Sequence, residues 1–111
     1  MKKVIFSLIL VLCSSQALSA WDGVNSGLIK KIDVAPNDPR TIRVFLTDAN
    51  GVTPKMCGND YTWAYLHEND VGYTTVVSAL LSAKATNSSI AVYANKNPAD
   101  NNYCKIGYIS F

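Results

Sequence analysis

Residues 70–85, DVGYTTVVSALLSAKA, are the one stretch of this chain whose apolar side chains recur with a helical period. Tyr73, Val76, Val77, Leu80 and Leu81 stand at i, i+3, i+4, i+7 and i+8, the stripe of an amphipathic helix. Asn69 or Asp70 is placed to cap its start, and Asn87 to end it. To either side of this helix the period shortens to that of strands.

Ahead of it, "GLIKKIDV" (27–34) and "RTIRVFLT" (40–47) carry β-branched and apolar residues at short spacing, and the two prolines of "APNDP" turn the chain between them. In the second run Ile42, Val44 and Leu46 share one face, while Arg43, Phe45 and Thr47 share the other. After the turn "DANG" and an irregular "GVTPKMCGND", the run "YTWAYLH" (61–67) alternates as a third strand. Behind the helix come "SIAVYAN" (89–95) and "CKIGYISF" (104–111), joined by the polar loop "KNPADNN". Strand, strand, strand, helix, strand, strand is the element order of a mainly β domain with one helix, a small five-stranded barrel of the OB type. In such a barrel an apolar last strand closes the sheet. An open α+β sheet with the helix on one face is the alternative.

The N-terminal end sets the compartment. "MKKVIFSLILVLCSSQALSA" has two lysines, an apolar run from Val4 to Cys13 and a small-residue end at Ala20, the three parts of a secretory signal peptide of a style that looks bacterial. Cleavage is expected after Ala20 or after Ala17, leaving a single domain over 21–111. The apolar run is about ten residues, roughly half of what a membrane-spanning helix needs. Cys13 follows Leu12, where a lipoprotein signal carries a small residue. A secreted or periplasmic protein without membrane insertion is the expectation.

The full chain has 111 residues and a formal charge of +2. Lys2 and Lys3 belong to the signal, so the domain itself carries eight basic and eight acidic side chains. A neutral domain has no electrostatic footprint for nucleic acid. Cys57 and Cys104 remain after the signal, and in an oxidising compartment the pair reads as a disulfide. Their separation is wide for redox chemistry and suits a staple, worth about 4 kcal/mol for a loop of about 48 residues.

Catalytic chemistry is sparse. His67 is the only histidine, and with no cluster of cysteines or histidines it does not make a zinc site. Asp33, Asp38, Asp48, Asp60, Glu68, Asp70 and Asp100 fall mostly at turns and helix ends, where carboxylates receive backbone donors. "DGVNSG" lacks the strand before and helix after that a phosphate loop requires. No cofactor is implied, and the chain is read as a non-enzyme. Tyr61, Trp63 and Tyr65 lie at i, i+2 and i+4 on one face of the third strand. Rings with polar tips stack on sugars, though such residues more often pack in cores and interfaces.

"WDGVNSGLI" at Trp21 resembles the opening of the B subunits of subtilase cytotoxin and related pertussis-like toxins. The resemblance continues through "CGNDYTWAYLH", the helix "GYTTVVSALLSAKA" with its early Tyr, and "IAVYA", and covers Trp21 to Ala94. It implies an exported OB-fold domain that forms a homopentamer, binds sialylated glycans and partners a catalytic A subunit. The implied sugar contacts fall on Asp22, which accepts from sugar hydroxyls, and Ser26, which donates to the sialic-acid carboxylate. A third falls on Tyr93, or on Ala94 if the turn "ATNSS" counts one residue more. The chain departs from the family in lacking its longer, cysteine-bearing C-terminal segment. A stand-alone periplasmic or secreted protein-binding or oligomeric scaffold with no sugar site is the alternative to a glycan-binding module.

Overall fold

The computed structural model describes residues 21–111; the expected signal peptide at 1–20, with its two cleavage points, lies outside the described residues. The elements are β1 (Gly23–Val34), β2 (Ile42–Thr47), β3 (Ala64–Leu66), α1 (Tyr73–Thr86), β4 (Ile90–Asn97), a 3-10 turn (Pro98–Asp100) and β5 (Tyr103–Ser110). The strands close into a barrel in the order β1-β2-β3-β5-β4, with β4 returning to β1. Every neighbour is antiparallel except β3 and β5. The fold is therefore the small, mainly β, OB-like barrel that the element order predicts. Ring closure excludes the open sheet.

Alternation fills the interior. Ile42, Val44 and Leu46 of β2 point inward, as do Ile90, Val92 and Ala94 of β4 and Cys104 and Ile106 of β5. Two bulges interrupt it. Lys30 is the extra residue in β1, between Ile29 opposite Leu46 and Lys31 opposite Phe45, so the inward phase passes from Ile29 to Ile32. Gly107 is the extra residue in β5, between Ile106 opposite Ala94 and Tyr108 opposite Tyr93, so Ile109 rather than Tyr108 turns in. A bulge adds local twist, which a small barrel needs to curl.

The first strand begins four residues earlier than its apolar run. Gly23 to Gly27 pair with β4, and Leu28 to Val34 pair with β2, so β1 serves both halves of the barrel. At Gly27, where the pairing changes partner, any Cβ would collide with the Thr47 carbonyl. Ser26 therefore lies within the strand and not ahead of it. The third strand is shorter than its alternation suggests: Tyr61 has a φ of 57° and Trp63 precedes the first paired residue. Lys96 and Asn97, read as loop, continue β4.

The helix sits where its period places it, with two corrections. Leu80 and Ala83 are buried and Tyr73, Val76 and Val77 pack on the same core as the inward strand residues, so α1 closes the barrel interior. Leu81 is exposed, because the buried stripe drifts round to Ala83. Neither Asn69 nor Asp70 caps the start. The N-cap is Gly72, at φ 79°, and no side chain bonds the first turn. Asn87 does end the helix: at φ 57° its N–H bonds the last carbonyls, and Ser88 N–H reaches Ala83 O, a left-handed cap that asparagine tolerates.

Cys57 and Cys104 are bonded, with their Cα atoms 5.8 Å apart and a sequence separation of 47. Both are fully buried, joining the loop before β3 to the second residue of β5. Among the described residues no helix is long and apolar enough to cross a membrane. Replacing both cysteines with alanine is expected to destabilise the domain by about 4 kcal/mol, read as a lowered midpoint in urea or guanidinium unfolding. A shift below about 1 kcal/mol would show that the barrel closes without the covalent tie.

Candidate functional site

The three residues assigned to sugar contact lie on one surface, the outer face of β1, β4 and β5. Register sets them out in rows. Ser26 pairs with Ala91 and Ala91 with Ser110; Val24 pairs with Tyr93 and Tyr93 with Tyr108. Direct cross-strand neighbours hold their Cβ atoms about 4.5–5.5 Å apart. The first row is thus a methyl floor, Ala91, flanked by two hydroxyls, and the second is a step of aromatic rings beside it. Tyr93 faces outward and Ala94 is fully buried, so of the two positions open for the third contact only Tyr93 reaches the surface.

Asp22 stands at the next level and serves the fold. Its N–H donates to Asn95 Oδ1 at 2.8 Å, and its Oδ2 accepts from Lys96 N–H at 2.8 Å, pinning the start of β1 to β4. Only its second carboxylate oxygen is left for a ligand. The hydroxyls of Ser26, Ser110 and Tyr93 have no partner among the described residues. Lys96 reaches away to Asp60 at 2.7 Å, and that hydrogen bond and charge hold its ammonium above the usual lysine range.

Tyr93 is fixed by its neighbours. Trp21 meets it edge-on at 5.7 Å between ring centroids, and Tyr108 does so at 5.0 Å. Trp21 in turn lies across Gly107, whose missing side chain leaves room for the indole. Sequence reasoning did not assign Trp21, Tyr108 or Ser110 to this face. Strict alternation of "CKIGYISF" puts Tyr108 inward with Cys104 and Ile106; the glycine between Ile106 and Tyr108 was the one signal of a bulge.

The aromatic run of the third strand belongs to a different face. Tyr61, Trp63 and Tyr103 gather with centroids 5.2–5.5 Å apart, and Tyr65 adjoins Trp63 at 6.3 Å. Arg40 covers Tyr103 at 4.7 Å and Arg43 covers Trp63 at 5.2 Å. Tyr65 is buried, and burial pushes its phenol up, with the Asn97 hydrogen bond opposing and Asp100 adding to the rise. These rings pack against one another and the guanidinium groups, as cation–π contacts favour.

His67 lies in the loop before the helix, where its Nδ1 accepts from Asn69 N–H at 3.0 Å. Nearby, Asp70 receives Lys105 Nζ at 2.7 Å and His67 N–H at 2.8 Å. Burial alone raises the Asp70 carboxyl, but the Lys105 and His67 hydrogen bonds outweigh it and hold the group below its usual 3.8. Because the folded state binds this proton less readily than the unfolded chain, Asp70 contributes stability that is fully present above the ordinary carboxylate range and is lost as pH falls through its folded value. Asp70→Asn should therefore be less stable than the wild type at pH 6, with the gap closing as the pH is taken below 3.8. Urea unfolding at a series of pH values measures it. A gap that persists undiminished into acid would assign the effect to packing.

Comparison of the chain with protein-family models, with characterised proteins and with solved structures finds no match.

Proposed function

We propose that the domain is an exported glycan-binding module, acting in the periplasm or after secretion, and that its ligand is an acidic sugar of the sialylated type. The observation that carries this reading is the row Ser26, Ala91, Ser110 beside Tyr93: two hydroxyls without a partner among the described residues, set across a methyl floor, with a fixed ring next to them. A carboxylate seated over Ala91 accepts from both hydroxyls, and the apolar face of the sugar ring rests toward Tyr93. The second oxygen of Asp22 accepts from a sugar hydroxyl at the far end. Recognition here rests on hydrogen bonds and contact, since the domain's formal charge is zero once the signal is removed.

A shallow site on one small domain binds weakly, and such modules gain strength by presenting several copies. A homopentamer, the assembly of the toxin B subunits that the sequence resembles, supplies that avidity. In that assembly the module delivers a catalytic A subunit rather than performing catalysis itself. One observation favours the alternative of a protein-binding scaffold: Val24, Tyr108 and Phe111 are all more than half exposed, an apolar surface that a protein partner would also cover.

Ser26→Ala separates the readings. Loss of one hydrogen bond to a charged group costs roughly 1.5–3 kcal/mol, so binding to a sialylated oligosaccharide should weaken about tenfold or more. The melting temperature should not move, because the Ser26 side chain is exposed and its hydroxyl bonds none of the described residues. Titration calorimetry and thermal unfolding of one variant read both quantities. A wild-type protein that binds no sialylated glycan at millimolar concentration would sink the glycan reading and leave the scaffold.

A further inference from the structure

Beyond the Ser26 row, the same face holds a separate cleft of about 360 Å³. Its walls are Trp21, Asn95, Lys96, Asn97, Lys105 and Gly107. We propose that this cleft is a second binding site and that it takes a neutral pyranose. The site uses none of Ser26, Ala91 or Ser110, and a sugar of a different class.

The argument starts from Trp21. A tryptophan 39% exposed on a small domain is nevertheless held in place, over Gly107 and edge-on to Tyr93. A fixed, displayed indole is an apolar platform for a molecule whose one face is C–H and whose rim is hydroxyl. The rim has partners. Asp22 N–H can only donate, so the Asn95 atom facing it is the carbonyl oxygen and the amide NH2 is the end without a partner among the described residues. Asn97 accepts from Ala99 N–H and gives one hydrogen to the Tyr65 hydroxyl, leaving its second hydrogen free. Two amide donors suit hydroxyl oxygens.

The cleft's lysines give an acid no advantage. Both lysines of the cleft are already paired, Lys105 with Asp70 and Lys96 with Asp60, each at 2.7 Å. Each ammonium group thus already faces a carboxylate of the protein. The volume lies at the lower end of small-molecule sites, enough for one ring.

The chain has two tryptophans, so Trp63→Phe leaves Trp21 as the sole indole reporter. Titrating that protein with methyl glycosides of glucose, galactose, mannose and N-acetylglucosamine should give a saturable change in emission for at least one of them, in the millimolar range. Methyl glucuronide should bind no tighter than its neutral counterpart. Asn95→Ala should weaken the response at least about three- to tenfold, since it removes the ligand's donor, worth one neutral hydrogen bond, and with it the oxygen that accepts from Asp22 N–H. Gly107→Ala, which forces the indole aside, should abolish it with the circular dichroism spectrum unchanged; if that variant does not fold, Asn95→Ala decides. Ser26→Ala should leave this response intact, so the sialoglycan reading and this one fail independently. No saturable response to any neutral glycoside, by emission or by saturation-transfer NMR, would overturn the proposal. So would a response indifferent to Asn95→Ala, or tighter binding of the glucuronide.

Discussion

The barrel depends on how β3 is held to β5. Every other neighbouring pair of strands shares at least three register positions, but β3 and β5 meet at one, Tyr65 opposite Lys105. A single parallel pair does not hold a ring shut, and side chains make up the difference. The Cys57–Cys104 disulfide crosses the gap from below β3, Lys105 reaches Asp70, Asn97 reaches the Tyr65 hydroxyl, and Arg40 bonds Asp100 at 2.8 Å. Each tie joins the β5 side of the seam to the segments around β2 and β3. A domain of about ninety residues buries a limited core, so the covalent tie carries much of the closure.

Closure has a consequence on the opposite side of the ring. With β5 anchored at the seam, β5, β4 and the first half of β1 form a continuous outer surface whose rows are set by register rather than by loops. Sites on strands are held more precisely than sites on loops. Asp22 bonded to β4 and Trp21 laid over Gly107 fasten the start of β1 onto that surface. The two features placed there, the hydroxyl row at Ala91 and the cleft at Trp21, therefore share one scaffold while drawing on separate side chains.

The two aromatic groups of this chain show why residue type alone misleads. Tyr61, Trp63 and Tyr65 look like a binding stripe in sequence, yet they pack in a cluster with Tyr103 that two guanidinium groups cover. Tyr93 and Tyr108 look like members of buried strands, yet they face out. The difference is made by neighbours distant in sequence. Asp100 lies 60 positions from Arg40, and Lys96 lies 74 from Asp22.

Local periodicity determined the elements and their order: the 3.6-residue stripe of α1, the alternation of Ile42, Val44 and Leu46, and the turn residues between strands. Compartment reasoning supplied the disulfide. Asp22, Ser26 and Tyr93 were singled out through resemblance, and the strand register brings them to one face. What the sequence did not reveal was phase and partnership. Lys30 and Gly107 each add one residue to a strand, and one residue reverses the facing of everything after it, so Tyr108 and Ser110 came to the surface only in the folded register. Likewise the capacity of Asp70 to cap the helix was overridden by the nearby His67 N–H and by Lys105, a group offered once β5 had docked. Short-range spacing fixes what a segment becomes; which of its faces is free is settled by the strands that pair with it.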